Sequence, residues 1–468
     1  MVINLEEQGI KLILTAILKV YAVFTVLTGV LMFAIPVTKK NEYQNNVEHQ
    51  RFYGTGEGVD QAVLLDDPSL AALARHDIIV NAEHTIDVAY YSLHRDYSAE
   101  ALFGALIEAA DRGVKVRILL DGIAHSMTGS LRAVRYAIMH HKNMELKLYE
   151  PFNLLQPWTW NNRFHDKYIV VDDCWGIIGG RNVGIRYFDP NSKRPVNDRD
   201  VLIINQGGED GQASVIHQFK DYFELQWNCP YARKARVPLR LMAQRLISGG
   251  REKTEQVIRE ARHIARTYYD EKFDWQSLAL PTRKITLIHN PVKRMNKEPR
   301  ILMELAALMD KAKERILIQS PYVIPTRAML SCFSDEPFQA EIVVLTNHPA
   351  SRSNSNIFAV AGYLNKKRLV ESSADVLYEY YNSGSIHAKT FVFDQTLSMV
   401  GSYNFDARSS FLSTESMVVI DSPEFAQVLE ESVTETIREG LTDQTMPLVK
   451  QVIVGFFRVI LFFFDFLL

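Results

Sequence analysis

A histidine and a lysine stand two positions apart at the start of an apolar run, in the nonapeptide FHDKYIVVD that contains His165 and Lys167. The same arrangement returns 222 positions later in IHAKTFVFD, which contains His387 and Lys389. Successive side chains of a β-strand point to opposite faces, so residues i and i+2 project together. We therefore expect each histidine to share one strand face with its lysine.

The repeat continues past these pairs at the same spacing. Asp172 and Asn182 of the first copy correspond to Asp394 and Asn404 of the second copy, again 222 positions apart. Each aspartate lies seven positions after its histidine, which is the wrong parity for the same face of a regular strand. We therefore expect Asp172 and Asp394 to support the site by binding neighbouring groups rather than to attack a substrate.

Further along, the first copy carries the insertion NSKRPVN, so the two copies are aligned there by their next apolar strands. This alignment pairs Asp200 of RDVLII with Glu415 of TESMVVI at an offset of 215. A lone histidine at the end of an apolar strand is usually a structural residue. A duplicated pattern of this length is much more specific, and we interpret it as a functional site.

Two such copies facing each other across a pseudo-twofold axis would bring two imidazoles, two ammonium groups and two amides into one cleft. One imidazole can attack phosphorus and form a covalent phosphohistidine. The other can protonate the leaving alkoxide and then deprotonate the incoming water or alcohol. The groups predicted to hold the non-bridging oxygens are Lys167, Lys389, Asn182, Asn404 and Ser402. This phosphodiester chemistry requires no metal and no other cofactor.

The 468 residues are too many for one ordinary core, and strands and amphipathic helices alternate twice along the chain. Apolar strands between helices predict an α/β fold with helices on the faces of each sheet. We predict two fused halves, residues 60–240 and 281–440, which share one active site. A charged helical connector is predicted between them, over residues 241–280.

An apolar segment near the N-terminus predicts a membrane anchor over residues 10–38. Val20–Thr38 carries no charge over 19 residues, and as a helix it would be about 28 Å long, against a hydrocarbon core of about 30 Å. A cleaved signal peptide is the alternative, but no basic cluster precedes the segment. Lys39 and Lys40 follow it directly and favour a catalytic body on the cytoplasmic side.

The C-terminal segment, residues 446–468, is also apolar but contains Arg458 and Asp465. Residues seven apart nearly coincide around a helix, so these two charges share one stripe. Each charge would cost about 2.5–3.5 kcal/mol at a bilayer centre, which disfavours a spanning helix. We predict a helix that lies in the membrane interface, with a terminal helix packed on the protein's own core as the alternative.

Composition excludes several other classes of protein. The net charge of −3 and a pI of about 6.5 argue against a protein whose main task is binding nucleic acid, because that binding depends on a surplus of lysine and arginine. The three cysteines have neither the spacing of a zinc site nor the number for a disulfide framework. We expect no metal site.

The paired sequences HDKYIVVD…GGRN and HAKTFVFD…GSYN resemble the His-x-Lys-x4-Asp motifs of the phospholipase D superfamily, over roughly residues 60–440. Within it, GGRNVGIRYFD, GSYNFDARSSFLSTE, QSPYVIPT and AGYLNKKRLV are similar to the bacterial cardiolipin synthases, and the single anchor is similar to their shorter type. The resemblance implies two α/β sandwich halves and transfer of a phosphatidyl group to phosphatidylglycerol in the cytoplasmic membrane. It leaves the donor lipid open, with phosphatidylethanolamine as one candidate.

The resemblance also implies roles for individual residues. It makes His165 the nucleophile and His387 the acid/base, although the symmetry of the two copies leaves their order open. It makes Asp200 and Glu415 the acids that orient the histidines from behind. A phospholipase D that transfers the group to water would use the same site, and a nuclease or a lipid-binding scaffold are more distant alternatives. The aromatic stretch YEPFNLLQPWTWNNR before the first motif is either lipid-facing or local packing.

Overall fold

The protein is described from a computed structural model. It covers residues 2–35, 48–207, 213–235, 273–351, 356–440 and 444–468, together with residues 252 and 256.

A mixed nine-stranded sheet organises the first half of the chain. Strands β1 to β10 are Asp60–Leu65, Thr85–Tyr90, Lys115–Asp121, Met144–Tyr149, Lys167–Val171, Trp175–Gly179, Val196–Asn197, Asp200–Asn205, Ala232–Lys234 and Leu280–Pro281. All except β7 belong to this sheet, in the order β10-β1-β8-β6-β5-β2-β3-β4-β9. Strands β2, β3 and β4 run parallel, and the neighbours of this group run antiparallel to it.

A seven-stranded sheet organises the second half. Strands β11 to β18 are Lys284–His289, Arg315–Gln319, Glu341–Asn347, Val376–Tyr380, Ser385–Ile386, Thr390–Phe393, Leu397–Gly401 and Ser416–Asp421. All except β15 belong to it, in the order β11-β18-β17-β16-β12-β13-β14. This order repeats β1-β8-β6-β5-β2-β3-β4 strand for strand. The predicted α/β fold of two related halves is therefore confirmed.

Twelve α-helices lie in the described part of the chain. Helices α1 to α12 are Val2–Gly29, Pro68–Val80, Tyr97–Arg112, Arg132–Met139, Ile185–Phe188, Val215–Trp227, Arg300–Met309, Arg327–Leu330, Ile357–Ser373, Ala407–Phe411, Pro423–Arg438 and Leu448–Phe464. Short 3-10 helices cover Leu31–Phe33, His49–Phe52, Gly129–Leu131, Pro157–Asn161, Trp275–Leu278 and Asp465–Leu467. Helix α3 shows how local sequence sets these bounds: Asp96 caps its first turn, and Gly113 ends it at φ 114°, where a side chain would be strained.

The apolar core has three parts that follow the sheets. One part covers the outer face of the first sheet and buries helices α2, α3 and α4. A second part covers the outer face of the second sheet and buries α7. The third contains residues of both sheets together with α6 and α11, so it joins the two halves into one unit. The two histidine strands, β5 and β16, therefore belong to a continuous body.

The end of the predicted connector belongs to the first half. Most of residues 241–280 lie outside the described residues, but Trp275 is buried in the first core and β10 pairs with β1. The chain thus completes the first sheet before it enters β11. The described end of the predicted connector, residues 273–280, is therefore part of the first half.

Helix α1 is shifted towards the N-terminus relative to the predicted anchor. By length and composition, Gly9–Phe33 can cross a membrane, and its apolar side chains are largely exposed. The helix itself ends at Gly29, whose carbonyl accepts a hydrogen bond from Asn161, and Phe33 is buried in the second core. The last predicted anchor positions, 36–38, lie outside the described residues.

The C-terminal helix α12 packs on the protein along one face and exposes apolar side chains on the other. Its charged stripe packs on α9: Arg458 donates to Asn365 at 3.0 Å, and Asp465 pairs with Lys366 at 2.6 Å. Val454 and Leu461 are buried on the same side. The opposite face is apolar and exposed, and consists of Leu448, Val449, Val452, Phe456, Val459, Phe462 and Phe463. Arg458 and Asp465 share a stripe as predicted, and that stripe faces the protein.

Candidate active site

The two His-Lys pairs lie at equivalent places in the two sheets. Lys167 is the first residue of β5, and Lys389 directly precedes β16, so both pairs stand where a central strand enters the sheet. Both lysines are fully buried. Burial lowers the pKa of both histidines, and positive charge from Lys167 and Lys389 lowers it further.

Each histidine is held by an acid from the other half. Glu415 accepts from Nδ1 of His165 at 2.8 Å, and Asp198 accepts from Nδ1 of His387 at 2.6 Å. The backbone repeats the exchange, because the amide of His165 donates to Thr414 and that of His387 donates to Asn197. With Nδ1 donating to a carboxylate, Nε2 of each imidazole keeps its lone pair for the substrate.

The predicted pairing of Asp200 with Glu415 is wrong by two residues. In the sheets, Asp200 lies opposite Gly179, whereas Met417 lies opposite Gly401, so Asp198 is the counterpart of Glu415 at an offset of 217. Asp200 is turned away from the histidines. It forms buried ion pairs with Arg75 at 2.7 Å and Arg181 at 3.2 Å.

Ser402 also differs from its predicted role as a phosphate ligand. Its side chain is fully buried, and its hydroxyl donates to Oε2 of Glu415 at 2.5 Å. Ser402 therefore orients the acid behind His165. The first half has Gly180 at this position, where a Cβ would lie 2.1 Å from Oδ1 of Asp198. Only glycine leaves room for that carboxylate.

Asp172 and Asp394 lie at the far ends of their strands and bind backbone. Asp172 accepts from the amides of residues 83, 84 and 85, and Asp394 accepts from those of residues 313, 314 and 315. Each carboxylate thus fixes the loop that enters the neighbouring antiparallel strand, β2 or β12. These contacts are of the supporting kind expected from the parity of the two residues.

The side-chain amides of the two asparagines each form a hydrogen bond through Nδ2 only. Nδ2 of Asn182 donates to the hydroxyl of Tyr187 at 3.2 Å, and Nδ2 of Asn404 donates to Ser409 at 3.4 Å. The buried Oδ1 atoms of both asparagines have no hydrogen-bond partner among the described residues. If the amides turn over, Oδ1 can accept from the tyrosine or serine hydroxyl, and the NH2 groups can face an anion.

Burial sets the protonation of the histidines. It lowers the pKa of His165 well below its ordinary value, and Lys167 lowers it further. Burial and then Lys389 lower the pKa of His387 to about 3. Although burial acts in the opposite direction, His387 and Lys389 lower the pKa of Asp198 to about 2. Both imidazoles are therefore neutral in the free site at neutral pH.

Burial also lowers the pKa of both lysines. It lowers the pKa of Lys167 to about 8, although Glu415 acts in the opposite direction. It lowers the pKa of Lys389 to about 7, with Lys167 adding to the effect. An anion bound between the two ammonium groups would raise both values. The site is therefore built to receive negative charge.

Two tyrosines contact the histidines and were not identified from the sequence. The ring of Tyr91 packs edge-on against His165 at a centroid distance of 4.7 Å, and that of Tyr187 packs edge-on against His387 at 5.5 Å. Tyr187 stands five residues after Asn182 in the repeat, but its counterpart in the second copy is Ser409. Comparison of the two copies at the 222-residue offset therefore could not identify Tyr187. Among the described residues, no group of three or more His, Cys, Asp or Glu side chains is arranged to hold a metal.

The fold and the paired His-Lys sites define a phospholipase D-like protein, and comparison with known proteins gives its family. Residues 76–227 and 305–437 match the family described as cardiolipin synthase, phospholipase D-like domain. The chain is 32% identical to cardiolipin synthase C of Escherichia coli, over 77% of this chain and 81% of that protein. It is 27% identical to cardiolipin synthase 2 of Staphylococcus epidermidis, over 72% of this chain and 60% of that protein.

Among solved structures, phosphatidylserine synthase from Haemophilus influenzae has the same fold, with a TM-score of 0.64 and 12% identity over 93% of this chain and 100% of that one. The chain belongs to the cardiolipin synthase family of phospholipase D-like proteins. Its predicted class, a phosphatidyltransferase of the cardiolipin synthase type, is thereby confirmed. Membership implies phospholipid substrates and association with a membrane.

Proposed function

We propose that the protein makes cardiolipin by moving a phosphatidyl group from a phospholipid onto the glycerol hydroxyl of phosphatidylglycerol. Nε2 of His165 attacks the donor phosphorus, and the bond from phosphorus to the headgroup oxygen breaks. The leaving alkoxide takes a proton from Nε2 of His387. His387 then takes the proton of the acceptor hydroxyl, whose oxygen displaces His165 from phosphorus.

The cross-half pairs of histidine and acid carry this proposal. Because Glu415 holds His165 and Asp198 holds His387, both imidazoles present Nε2 with a defined tautomer. His387 is neutral in the free site, since burial and Lys389 lower its pKa. A phosphodiester anion offsets that positive charge and raises the pKa, so His387 takes up its proton as the donor binds.

The remaining polar groups act on the phosphate. Lys167 and Lys389 would neutralise the non-bridging oxygens as charge develops on them, and the amides of Asn182 and Asn404 would donate to the same oxygens. Asp172 and Asp394 act indirectly, through the backbone that they bind. No step in this scheme uses a metal, so the rate is expected to be the same with and without EDTA.

The membrane supplies both lipids, and the exposed apolar surfaces indicate how the protein meets it. Helix α1 would anchor the chain in the cytoplasmic membrane, with the catalytic body on the cytoplasmic side. The exposed face of α12 would lie in the interface. Exposed Phe152, Leu154 and Leu155 belong to the aromatic loop, and Leu154 accepts a hydrogen bond from Tyr21 of α1. Of the two interpretations of this loop, we propose the lipid-facing one.

The test uses detergent-purified protein with phosphatidylglycerol, alone and with phosphatidylethanolamine, and mass spectrometry of the products. We expect cardiolipin from the wild type and a loss of about 10²-fold or more in His165→Ala and His387→Ala. A covalent phosphatidyl adduct should accumulate in His387→Ala and be absent from His165→Ala. Phosphatidic acid without cardiolipin would instead show that the enzyme is a hydrolase, and an adduct only in His165→Ala would reverse the two histidine roles.

A further inference from the structure

Each copy of the repeat carries an arginine shortly after its asparagine. Arg186 of α5 lies four residues after Asn182, and Arg408 of α10 lies four residues after Asn404. The two arginines are therefore 222 positions apart, like the other paired residues of the repeat. Both helices are short and directly follow the strand that carries the asparagine loop. The repeat therefore brings two further cations to the rim of the site.

Arg186 lies on the side of His387. Its guanidinium carbon is 5.7 Å from the centroid of the Tyr187 ring, and that ring is the one packed edge-on against His387. The ring of Tyr187 also contacts that of His94 at a centroid distance of 5.7 Å, so Arg186 borders a group of aromatic side chains. Arg408 has the equivalent position on the other side, where its charge acts on His165.

The two arginines differ in what already binds them. Nη2 of Arg408 donates to the carbonyl of Leu467 at 2.6 Å, so this guanidinium is committed to the protein. Nε of Arg186 is buried and has no hydrogen-bond partner, and no carboxylate pairs with Arg186 within the part of the chain that the structure describes. A buried guanidinium N–H without an acceptor is costly, so this group is available to an acceptor that the described residues do not supply.

The reaction proposed above needs a second anion site. The two lysines are used by the reacting phosphate, but the acceptor, phosphatidylglycerol, carries a phosphate of its own. That phosphate lies one glycerol unit from the hydroxyl that His387 must deprotonate. The guanidinium of Arg186 is separated from His387 by the ring of Tyr187, which leaves room for that glycerol unit. Its fork of donors matches two oxygens of a phosphodiester.

We propose that Arg186 binds the non-reacting phosphate of the acceptor phospholipid and so selects phosphatidylglycerol over water and small alcohols. This inference rests on the proposed function, in which His387 activates the acceptor. Arg408 has a different task, because it lies on the side of the covalent intermediate. The pair thus gives a variant and a matched control at equivalent positions of the repeat.

The experiment compares two acceptors in the full-length enzyme, phosphatidylglycerol and free glycerol, which lacks the second phosphate. In Arg186→Gln the ratio of transfer to phosphatidylglycerol over transfer to glycerol should fall roughly 10- to 100-fold, as expected for hydrogen bonds to a charged group. The KM for phosphatidylglycerol should rise. Arg186→Lys keeps the charge without the fork and should recover part of the ratio. Arg408→Gln should lower transfer to both acceptors by the same factor.

The outcomes separate this inference from the proposed function. A wild-type enzyme that makes no cardiolipin overturns the proposed function and, with it, the acceptor site. If the wild type makes cardiolipin but Arg186→Gln keeps the same ratio of the two acceptors, the arginine site alone is wrong. A ratio that falls in Arg408→Gln instead would place the acceptor on the side of His165. Thermal unfolding of each variant shows whether a loss reflects misfolding.

Discussion

At the scale of single residues, the site depends on which of two nearby acids faces a histidine. Asp198 and Asp200 are two positions apart and therefore project to the same side of an extended segment. Asp198 reaches His387 in the second half, whereas Asp200 is buried between Arg75 and Arg181 within the first half. One acid thus acts on the proposed chemistry, and the other stabilises the fold.

Substituting the two acids should separate these effects. Asp198→Asn should lower kcat about 10- to 100-fold with little change in Tm, because it removes the group that orients His387. Asp200→Asn should cost about 3–5 kcal/mol of unfolding free energy, because it leaves two buried guanidiniums without their carboxylate. Steady-state kinetics and calorimetry on both variants test this. The reverse pattern would restore the alignment that pairs Asp200 with Glu415.

The lowered lysine pKa values predict an unusual pH profile. As pH rises through about 7 and 8, Lys389 and then Lys167 lose their charge in the free enzyme, so kcat/KM should fall over this range. Bound phosphate raises both pKa values, so the fall in kcat should come at higher pH. Stopped assays from pH 5 to 10 at constant ionic strength measure both falls, that of kcat/KM and that of kcat. A fall only near the ordinary lysine pKa would show that the ammonium groups are not buried together.

At the scale of elements, helix α12 shows how one amphipathic sequence serves two surfaces. Its charged stripe is satisfied on α9, so the charges do not oppose contact with lipid. The face left exposed is rich in phenylalanine and leucine, which partition into the interface of a bilayer. The helix can therefore bind the protein on one side and the membrane on the other.

Polar substitutions on the exposed face of α12 should lower activity on membrane-bound lipid and leave activity on monomeric lipid unchanged. The triple variant Phe456→Gln, Val459→Gln and Phe463→Gln should lose about tenfold or more of its activity on vesicles, because burying each apolar side chain is worth about 1.5–3 kcal/mol. Activity on monomeric short-chain lipid should change little. Glu431→Gln, on the exposed side of α11, is the matched control. Equal losses on vesicles and monomers would show that the face packs inside the protein.

At the scale of the whole molecule, the two halves form one site because each completes the other. The clearest clamp is Arg199, next to Asp198, whose buried guanidinium donates to Gln319 at 2.7 Å and to Ser432 and Thr436 of α11. Strand β7 pairs with β15 beside it and joins the segment that carries Asp198 to the one that carries His387. The position of His387 therefore depends on the contact between the halves.

Arg199→Ala should loosen that contact. We expect a loss of several kcal/mol of unfolding free energy, since the variant removes the hydrogen bonds of Arg199 to Gln319, Ser432 and Thr436 and the packing of a buried side chain. Hydrogen exchange should rise first in β7 and β15, and activity should fall with it. Arg315→Ala, which removes a partly exposed ion pair to Glu430 within the second half, is the control. Unaltered exchange at β7 and β15 would show that the core alone holds the halves together.

Much of this architecture follows from sequence because it depends on local patterns. The repeat at an offset of 222 identified both His-Lys pairs, and strand parity predicted a supporting role for Asp172 and Asp394. The same parity could not choose between Asp198 and Asp200, since both project to one side. Ser402 was assigned to phosphate for a similar reason, because nothing local shows that Glu415 takes its hydroxyl.

The sequence by itself determined the duplication, the α/β class, the chemistry of the paired motifs and the amphipathic tail, since each depends on spacing along the chain. Tertiary structure decided which acid holds which histidine, because these partners are 250 and 189 positions apart and belong to opposite halves. It also decided that Arg458 of α12 faces α9 and that Nε of Arg186 has no acceptor among the described residues. Contacts between distant segments depend on packing, which no local pattern records.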